Sequence, residues 1–154
     1  MSCSSDNELK GNNYVYDTST DFIVTTNNNE DLLNADTPDY FDNDAIRVEH
    51  LKNNGNYVEF YQPNLDYKYD FMIYNSSGFN VFRLLNQIGR DYIINNKITS
   101  VIKWNATERD TIVTEINETS NTQIAIKVWV NGELKYDMHN GLTPEVITIT
   151  KPHL

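Results

Sequence analysis

The stretch from residue 123 to residue 138, QIAIKVWVNGELKYDM, decides the fold of this chain. Before its central Asn-Gly pair, β-branched residues occupy every second position: Ile124, Ile126, Val128 and Val130. A period of two places these side chains on one face of a strand. An Asn-Gly pair between two such runs is typical of a tight hairpin turn. The stretch therefore predicts two antiparallel strands.

The register of this hairpin depends on which side chains would face one another. A two-residue turn would set Val128 opposite Lys135, and so an apolar row against charges. A three-residue loop, residues 130–132, pairs Val128 with Leu134 instead. Facing apolar pairs contribute about 0.2–1 kcal/mol each, and a slip of one residue exposes the whole row. We therefore predict the three-residue loop, with Gly132 left-handed as a bulge.

The same alternation recurs along most of the chain. Short β-branched and aromatic runs are separated by Asn, Gly and Pro clusters, and the runs lie at residues 21–26, 45–51, 56–62, 67–74, 98–104, 111–116, 123–130, 133–138 and 145–150. Turn signals at intervals of roughly 8–12 residues are typical of sandwiches and barrels. The pattern predicts an all-β fold, an antiparallel β-sandwich of immunoglobulin-like architecture with about eight short strands.

One segment also fits a helix. From residue 79 to residue 88, apolar side chains recur at every third position, between a serine pair and a glycine that resemble helix boundaries. This spacing predicts one short helix near residues 78–88. The alternation through Val81 and Leu85 is compatible with a strand instead, so both interpretations stay open.

Length and charge exclude several classes of protein. A chain of 154 residues fits one domain, and its core can form without disulfides or metal. Because 22 acidic residues stand against 12 basic ones, no basic stripe is available for nucleic acid. A single cysteine cannot form an internal disulfide. We predict a flexible tether over residues 1–12 and one domain over residues 13–154.

The first eight residues carry a motif around the one cysteine. Residues 1–3 read MSC and residues 4–8 read SSDNE. This segment resembles the end of the lipoprotein signal peptide and the export signal of surface lipoproteins of the Bacteroidota. The resemblance implies that Cys3 is acylated and that the chain is anchored in a bacterial outer membrane, exposed at the cell surface. Several acyl chains anchor a protein stably, and no apolar run approaches the about 18 residues of a spanning helix.

Acidic residues concentrate before the main strands. Six lie between residues 30 and 44, with no lysine or arginine among them. Since Ca²⁺ prefers several carboxylate oxygens from one loop, Asp39, Asp42 and Asp44 are candidate calcium ligands. The glycine and glutamate of a complete calcium loop are missing. A solvated acidic loop explains the same residues, and calcium is the only cofactor that the sequence suggests.

Tyrosines form a second concentration, between residues 57 and 74. Exposed aromatic rings on a sheet bind sugars or proteins, because they offer a large contact area at a small entropic cost. Tyr57, Tyr61, Tyr67 and Tyr69 are the candidate partner-binding residues here, and Trp129 is a separate candidate. Alternation along a strand would place half of them in the core instead.

The sequence shows no catalytic constellation. His50, His139 and His153 have no second ligand or base at the spacing of a metal or triad motif, and no nucleophile elbow or phosphate loop occurs. We therefore predict a non-enzymatic cell-envelope lipoprotein domain that binds a protein or glycan partner. The alternatives are a secreted or viral soluble interaction domain in which Cys3 is incidental, and a hydrolase that uses paired carboxylates of the acidic loop.

Overall fold

The computed structural model describes residues 15–154, which form two β-sheets around a shared core. The all-β prediction and the sandwich arrangement are confirmed. The predicted tether, residues 1–12, and Cys3 lie outside the described residues. Within residues 15–154, no helix has the length and apolar character needed to span a membrane.

Short strands account for most of the described chain. They are β1 (Val15–Asp17), β2 (Thr20–Thr26), β3 (Arg47–Leu51), β4 (Tyr57–Glu59), β5 (Phe71–Ser76), β6 (Phe79–Leu84), β7 (Lys97–Lys103), β8 (Arg109–Glu118), β9 (Thr122–Val130), β10 (Glu133–Asp137) and β11 (Ile147–Lys151). The predicted number was about eight. The prediction omitted β1, which is three residues long, and treated β6 only as an alternative to a helix.

The larger sheet has the order β1-β9-β8-β7-β3-β4, and β10 also pairs with β9. The smaller sheet has the order β11-β2-β6-β5. Two pairs, β1 with β9 and β11 with β2, are parallel. The prediction of a purely antiparallel sandwich is therefore wrong for these two pairs. Side-chain alternation reports that a segment is a strand, but it carries no information about the direction of the neighbouring strand.

The predicted helix near residues 78–88 is wrong, and the strand alternative is confirmed over β6. The serines that resembled a helix boundary belong to a hairpin between β5 and β6. Ser76 pairs with Phe79, and the two residues between them, Ser77 and Gly78, have φ angles of 54° and 86°. Positive φ at both central residues is the geometry of a tight hairpin turn.

The predicted three-residue loop between β9 and β10 is also wrong. Val130 pairs with Glu133, so the turn consists of Asn131 and Gly132 alone. Their φ angles are 50° and 86°, which is again the two-residue hairpin geometry. The left-handed conformation predicted for Gly132 is confirmed.

The objection to a two-residue turn was that it would set the apolar side chains of β9 opposite charged side chains of β10. A shift of register in β10 avoids this arrangement. Leu134 pairs with Trp129, but the next pairing joins Tyr136 to Val128, so Lys135 is an extra residue in β10. After this extra residue, the side chains of β10 point to the opposite faces of the sheet from those that an unbroken register would give them. Tyr136 therefore packs against the apolar core despite the two-residue turn.

Trp104 lies fully buried at the centre of the core. Its ring meets Phe82 edge-on with 5.0 Å between centroids, and it stacks on Phe41 at 5.6 Å. Phe41 belongs to the loop between β2 and β3, which also carries Leu32 and Leu33 into the core. Burial of each such side chain stabilises the fold by about 1.5–3 kcal/mol, so this acidic loop contributes packing as well as charge.

A buried ion pair joins the two sheets. Lys151 on β11 places its Nζ 2.7 Å from Oδ2 of Asp110 on β8. The same carboxylate accepts hydrogen bonds from Trp104 Nε1 at 2.7 Å and Asn131 Nδ2 at 2.8 Å. A buried carboxylate is tolerated only when it is paired and fully hydrogen-bonded, and Asp110 meets both conditions.

The carboxyl group of Glu108 extends this cluster toward the surface. Its pKa lies below its ordinary value because His153 hydrogen-bonds to it at 2.6 Å and Lys151 adds a nearby positive charge, while burial acts in the opposite direction. A carboxyl group whose pKa is lowered on folding stabilises the protein above its unfolded pKa. That contribution is lost as the pH falls through the folded pKa.

We expect His153→Ala to lower the free energy of unfolding at about pH 6, and the difference from the wild type to shrink as the pH falls below about 4.5. Urea unfolding at a series of pH values measures it. His139→Ala is the matched control, because the His139 side chain is exposed and makes no hydrogen bond or ion pair within residues 15–154. A deficit of constant size across that range would contradict the coupling.

Candidate functional site

Tyr61 has an exposed ring that packs against a second tyrosine. Its side chain is 53% exposed, and its ring stacks on Tyr69 with 5.5 Å between centroids and 30° between planes. The guanidinium of Arg47 lies 3.8 Å from the centroid of the Tyr69 ring. Stacking and cation–π contacts of this kind each contribute about 0.5–1.5 kcal/mol. Tyr69 is therefore half-buried between neighbours, and it holds Tyr61 in place.

Local hydrogen bonds bring these residues together. Tyr61 follows β4 and Tyr69 precedes β5, and the loop between them closes through Gln62 N–H donating to the Lys68 carbonyl at 2.9 Å. Arg47 is held by the backbone carbonyls of Asp44 and Ile46, to which its Nη1 donates. We call Tyr61, Tyr67 and Tyr69 the tyrosine platform.

Two clefts flank the platform. The Tyr67 cleft, of about 580 Å³, is lined by Asn43, Asp44, Arg47, Asp66, Tyr67, Lys68, Tyr69, Phe71, Met72 and Ile73. The Tyr92 cleft, of about 280 Å³, is lined by His50, Val58, Glu59, Phe60, Tyr61, Gln62, Gln87, Ile88, Gly89 and Tyr92. Because Tyr69 lines the first and Tyr61 the second, the stacked pair connects them.

His50 forms the floor of the Tyr92 cleft and is almost fully buried, at 1% exposure. Its Nε2 lies 2.6 Å from Asp70 Oδ2, and its Nδ1 lies 2.8 Å from Ser100 Oγ. The rings of Phe60 and Tyr92 meet the imidazole edge-on at 6.1 Å and 6.3 Å. His50 therefore has both nitrogens satisfied and supports two walls of the cleft.

The buried network continues beyond His50. The other oxygen of Asp70 accepts the backbone N–H of Gln87 at 2.8 Å. Ser100 Oγ donates to Asn86 Oδ1 at 3.3 Å, and Asn86 Nδ2 donates to the Thr18 carbonyl at 2.9 Å. Asp70 and Asn86 both have positive φ, 69° and 56°. Asp and Asn enter this left-handed region more readily than other non-glycine residues.

Ser100, His50 and Asp70 are the residue types of a hydrolytic triad, but their geometry fits a structural role. In a catalytic triad the serine bonds Nε2 and the acid bonds Nδ1, and here the two are exchanged. Ser100 is 0% exposed and its hydroxyl is engaged by Asn86. A nucleophile needs access to its substrate, which this serine lacks.

Sequence reasoning missed this network because its hydrogen bonds join residues 14 to 68 positions apart. No local spacing connects them, and His50 alone resembled an ordinary strand histidine. Tyr92 and Gln87 were missed for the same reason. The signal in the sequence was a polar residue at the end of an apolar run: Asp70 stands directly before Phe71, and Asn86 directly after Leu85.

Tyr57 and Trp129 do not join the platform. Tyr57 is exposed on β4 opposite Leu51, and it lines neither cleft. Trp129 lies on β9, with three strands between it and β4, and its ring is 5.5 Å from Lys97 Nζ. The structure therefore brings together three of the five predicted partner-binding residues.

The acidic loop uses some of its carboxylates to build its own turns. Asp42 Oδ1 accepts the N–H of Asp44 at 3.0 Å, and buried Asp31 accepts the backbone N–H groups of Leu33 and Asn80. Asp39 has a φ of 63°. In the described part of the chain, no three His, Cys, Asp or Glu side chains are placed to hold a metal ion. Calcium binding by Asp39, Asp42 and Asp44 stays a prediction.

A third cleft, of about 330 Å³, lies beside β1 and β9 and contains Asp21 and Arg83. Arg83 donates to both oxygens of Asp21, at 2.7 Å and 3.0 Å. Tyr74 donates to Asp21 at 2.6 Å, and this hydrogen bond to a carboxylate raises the pKa of Tyr74. These polar groups satisfy one another, so the tyrosine platform is the stronger candidate for a binding site.

Comparison with known protein families, with curated proteins and with solved structures found no match to this chain.

The buried network makes a direct prediction for stability. Ser100→Ala removes the hydroxyl that faces His50 Nδ1 and Asn86 Oδ1, and we expect it to lower the free energy of unfolding by about 1–3 kcal/mol, the cost of leaving buried polar groups unpaired. Ser76→Ala, at an exposed position, should change stability by less than about 0.5 kcal/mol. Urea unfolding compares the two, and equal effects would show that the network adds no stability.

Proposed function

We propose that this chain is a non-enzymatic binding domain of a bacterial cell-envelope lipoprotein of the Bacteroidota type. Acyl chains on Cys3 would anchor it in the outer membrane, at the cell surface, and the tyrosine platform would bind a protein or glycan partner. The observation that carries the proposal is the exposed ring of Tyr61, held on Tyr69 and Arg47 at the junction of two clefts.

The platform has the physical character of a recognition surface. An exposed aromatic ring contributes a large contact area with few rotatable bonds. Because Tyr61 is already packed against Tyr69, less freedom is lost when a partner covers it. The neighbouring clefts add polar groups on both sides of the ring, which supply directional contacts.

The position of the platform in the fold is compatible with an anchor at Cys3. The described chain starts at Val15 in β1, and β1 and β4 lie at opposite edges of the larger sheet. The platform adjoins β4. An anchor that precedes β1 would therefore leave the β4 edge available to a partner.

The alternatives differ from the proposal in testable ways. A secreted or viral interaction domain would use the same platform, with Cys3 incidental. A hydrolase of the acidic loop would need two carboxylates converging in a cleft, whereas Asp31 and Asp42 bind backbone N–H groups of their own loop. The immunoglobulin-like architecture belongs to the proposal as well, and two sheets that share one core support it.

Lipidation makes the first prediction of this proposal. Expressed with its own upstream reading frame in a Bacteroidota host, the wild-type chain should incorporate labelled fatty acid and fractionate with the outer membrane. Cys3→Ser should do neither, while Ser4→Ala is the matched control and should behave as the wild type. An upstream stop codon directly before Met1, or membrane retention of the Cys3→Ser variant, would contradict the anchor.

Binding by the platform makes the second prediction. Isolated envelopes of the bacterium that encodes the chain should bind the full unacylated protein, and Tyr61→Ala should weaken this binding about tenfold, since one well-placed aromatic contact is worth about 1.4 kcal/mol. Tyr40→Ala is the control, because Tyr40 is a 42% exposed tyrosine outside both clefts. Equal binding by the two variants would overturn the assignment of the platform.

A further inference from the structure

We propose that the ligand of the tyrosine platform is a neutral oligosaccharide, with one sugar ring seated in the Tyr92 cleft. This inference rests on the proposed function and names the chemistry of the partner. Three observations carry it: the mixture of rings and amides in the lining, the balance of charge, and the rigidity of the walls.

The lining combines aromatic rings with amide groups. Phe60, Tyr61 and Tyr92 supply rings, and Gln62 and Gln87 supply side-chain amides. A sugar has apolar C–H faces that pack on rings and hydroxyl groups that need hydrogen-bond partners at its edge. A cleft lined by apolar rings with a few placed polar groups matches both requirements.

The amide of Gln87 is already oriented. Its Nε2 donates to Asp70 Oδ1 and to the Tyr67 carbonyl, each at 3.2 Å. Its Oε1 accepts no hydrogen bond within residues 15–154, so it is available to a hydroxyl donor. Gln62 is exposed at the rim of the cleft. These two amides can bond sugar hydroxyls, which act as donors and as acceptors.

The charge of the cleft favours a neutral ligand. No lysine or arginine belongs to its lining, and its one acidic residue is Glu59. Lys103 on β7, which β3 separates from β4, places its Nζ 3.7 Å from a carboxylate oxygen of Glu59 and 3.1 Å from one of Glu49. A carboxylated or phosphorylated sugar unit would find no cation to pair with inside the Tyr92 cleft, and the chain's net charge of -10 repels it. A cationic peptide would find the one carboxylate already paired.

The walls of the cleft are held before a ligand arrives. Phe60 and Tyr92 pack edge-on against His50, whose two nitrogens are bound by Asp70 and Ser100. Rigid walls reduce the ordering cost of binding. His50 is thus a positioning residue for the two rings.

The Tyr92 cleft has the size of a single sugar ring, and the platform beside it leaves room for further units. At about 280 Å³ it lies just below the range of roughly 300–1,000 Å³ for sites of drug-sized ligands, so it holds a single ring. Tyr61 lines this cleft and stacks on Tyr69, which lines the Tyr67 cleft. Further units of a chain would cross the Tyr61 ring toward the larger cleft.

The test is competition in the envelope-binding assay. Glycans released from the same envelopes are separated by anion exchange into a neutral and an acidic fraction, and each is added as competitor to the full unacylated chain. We expect the neutral fraction to displace the protein and the acidic fraction to have no effect. Calorimetric titration of the neutral fraction should show heat for the wild type and for Tyr40→Ala.

Two variants locate the sugar in the Tyr92 cleft. Tyr61→Ala and Gln62→Ala should each weaken binding of the neutral fraction about tenfold, which corresponds to about 1.4 kcal/mol. Gln62 is an exposed surface residue, so its variant tests the cleft even if Tyr61→Ala lowers stability. Far-ultraviolet circular dichroism and the midpoint of thermal unfolding confirm that each variant is folded.

The outcomes separate the two proposals. If envelope binding depends on Tyr61 but neither glycan fraction competes, the sugar proposal is wrong and a protein partner occupies the platform. If the acidic fraction competes, the neutrality of the ligand is wrong. If envelope binding does not depend on Tyr61, the proposed function itself is overturned.

Discussion

The hydrogen bond between His50 and Asp70 is the interaction on which the arrangement of the two sheets depends at the platform end. His50 lies on β3 of the larger sheet, and Asp70 directly precedes β5 of the smaller one. Both are buried to 1% exposure or less, where an unpaired polar group would cost about 1–3 kcal/mol. The two sheets must therefore approach each other in the one way that keeps this pair joined, and that approach forms the floor of the Tyr92 cleft.

A second polar cluster also fixes how the two sheets are aligned, elsewhere in the sandwich. Asp110 on β8 and Lys151 on β11 join the larger sheet to the smaller one, and Trp104 links this pair to the apolar core. Apolar packing alone tolerates several alignments of two sheets, since it has little directional preference. Hydrogen-bonded pairs at two places are more selective, because each satisfies its geometry in one alignment. The binding surface we propose gains its rigidity from this constraint.

Part of this fold and site could be predicted from local pattern. Most of the strands, the β9–β10 hairpin and the cluster of tyrosines follow from side-chain alternation, turn residues and composition. The helix near 78–88 was predicted wrongly because Ser77 and Gly78 resemble a helix boundary as well as a hairpin turn. The β9–β10 register was predicted wrongly because an extra residue, Lys135, changes the phase of a strand without any local signal in composition.

The residues of the tyrosine platform were predicted from the sequence, but the residues that they contact or face were not. Tyr61, Tyr67 and Tyr69 were found because they are close in sequence, whereas their partners Arg47 and Tyr92 were not. Trp129 was predicted as a separate candidate, and the sheet order places three strands between it and β4. Distance along the chain is a weak guide to contacts across a sandwich, where neighbours come from strands far apart in sequence.

The sequence by itself determined that this chain is all-β, acidic and rich in tyrosine, and that its one cysteine stands at position 3. These properties depend on single residues or on neighbours within one strand, where backbone geometry and side-chain alternation act directly. Only the tertiary structure decided which strands run parallel, which tyrosines meet, and that His50 binds Asp70 and Ser100. Those contacts join residues 20 and 50 positions apart, and they form only when burial of the two apolar sheet faces brings the strands together.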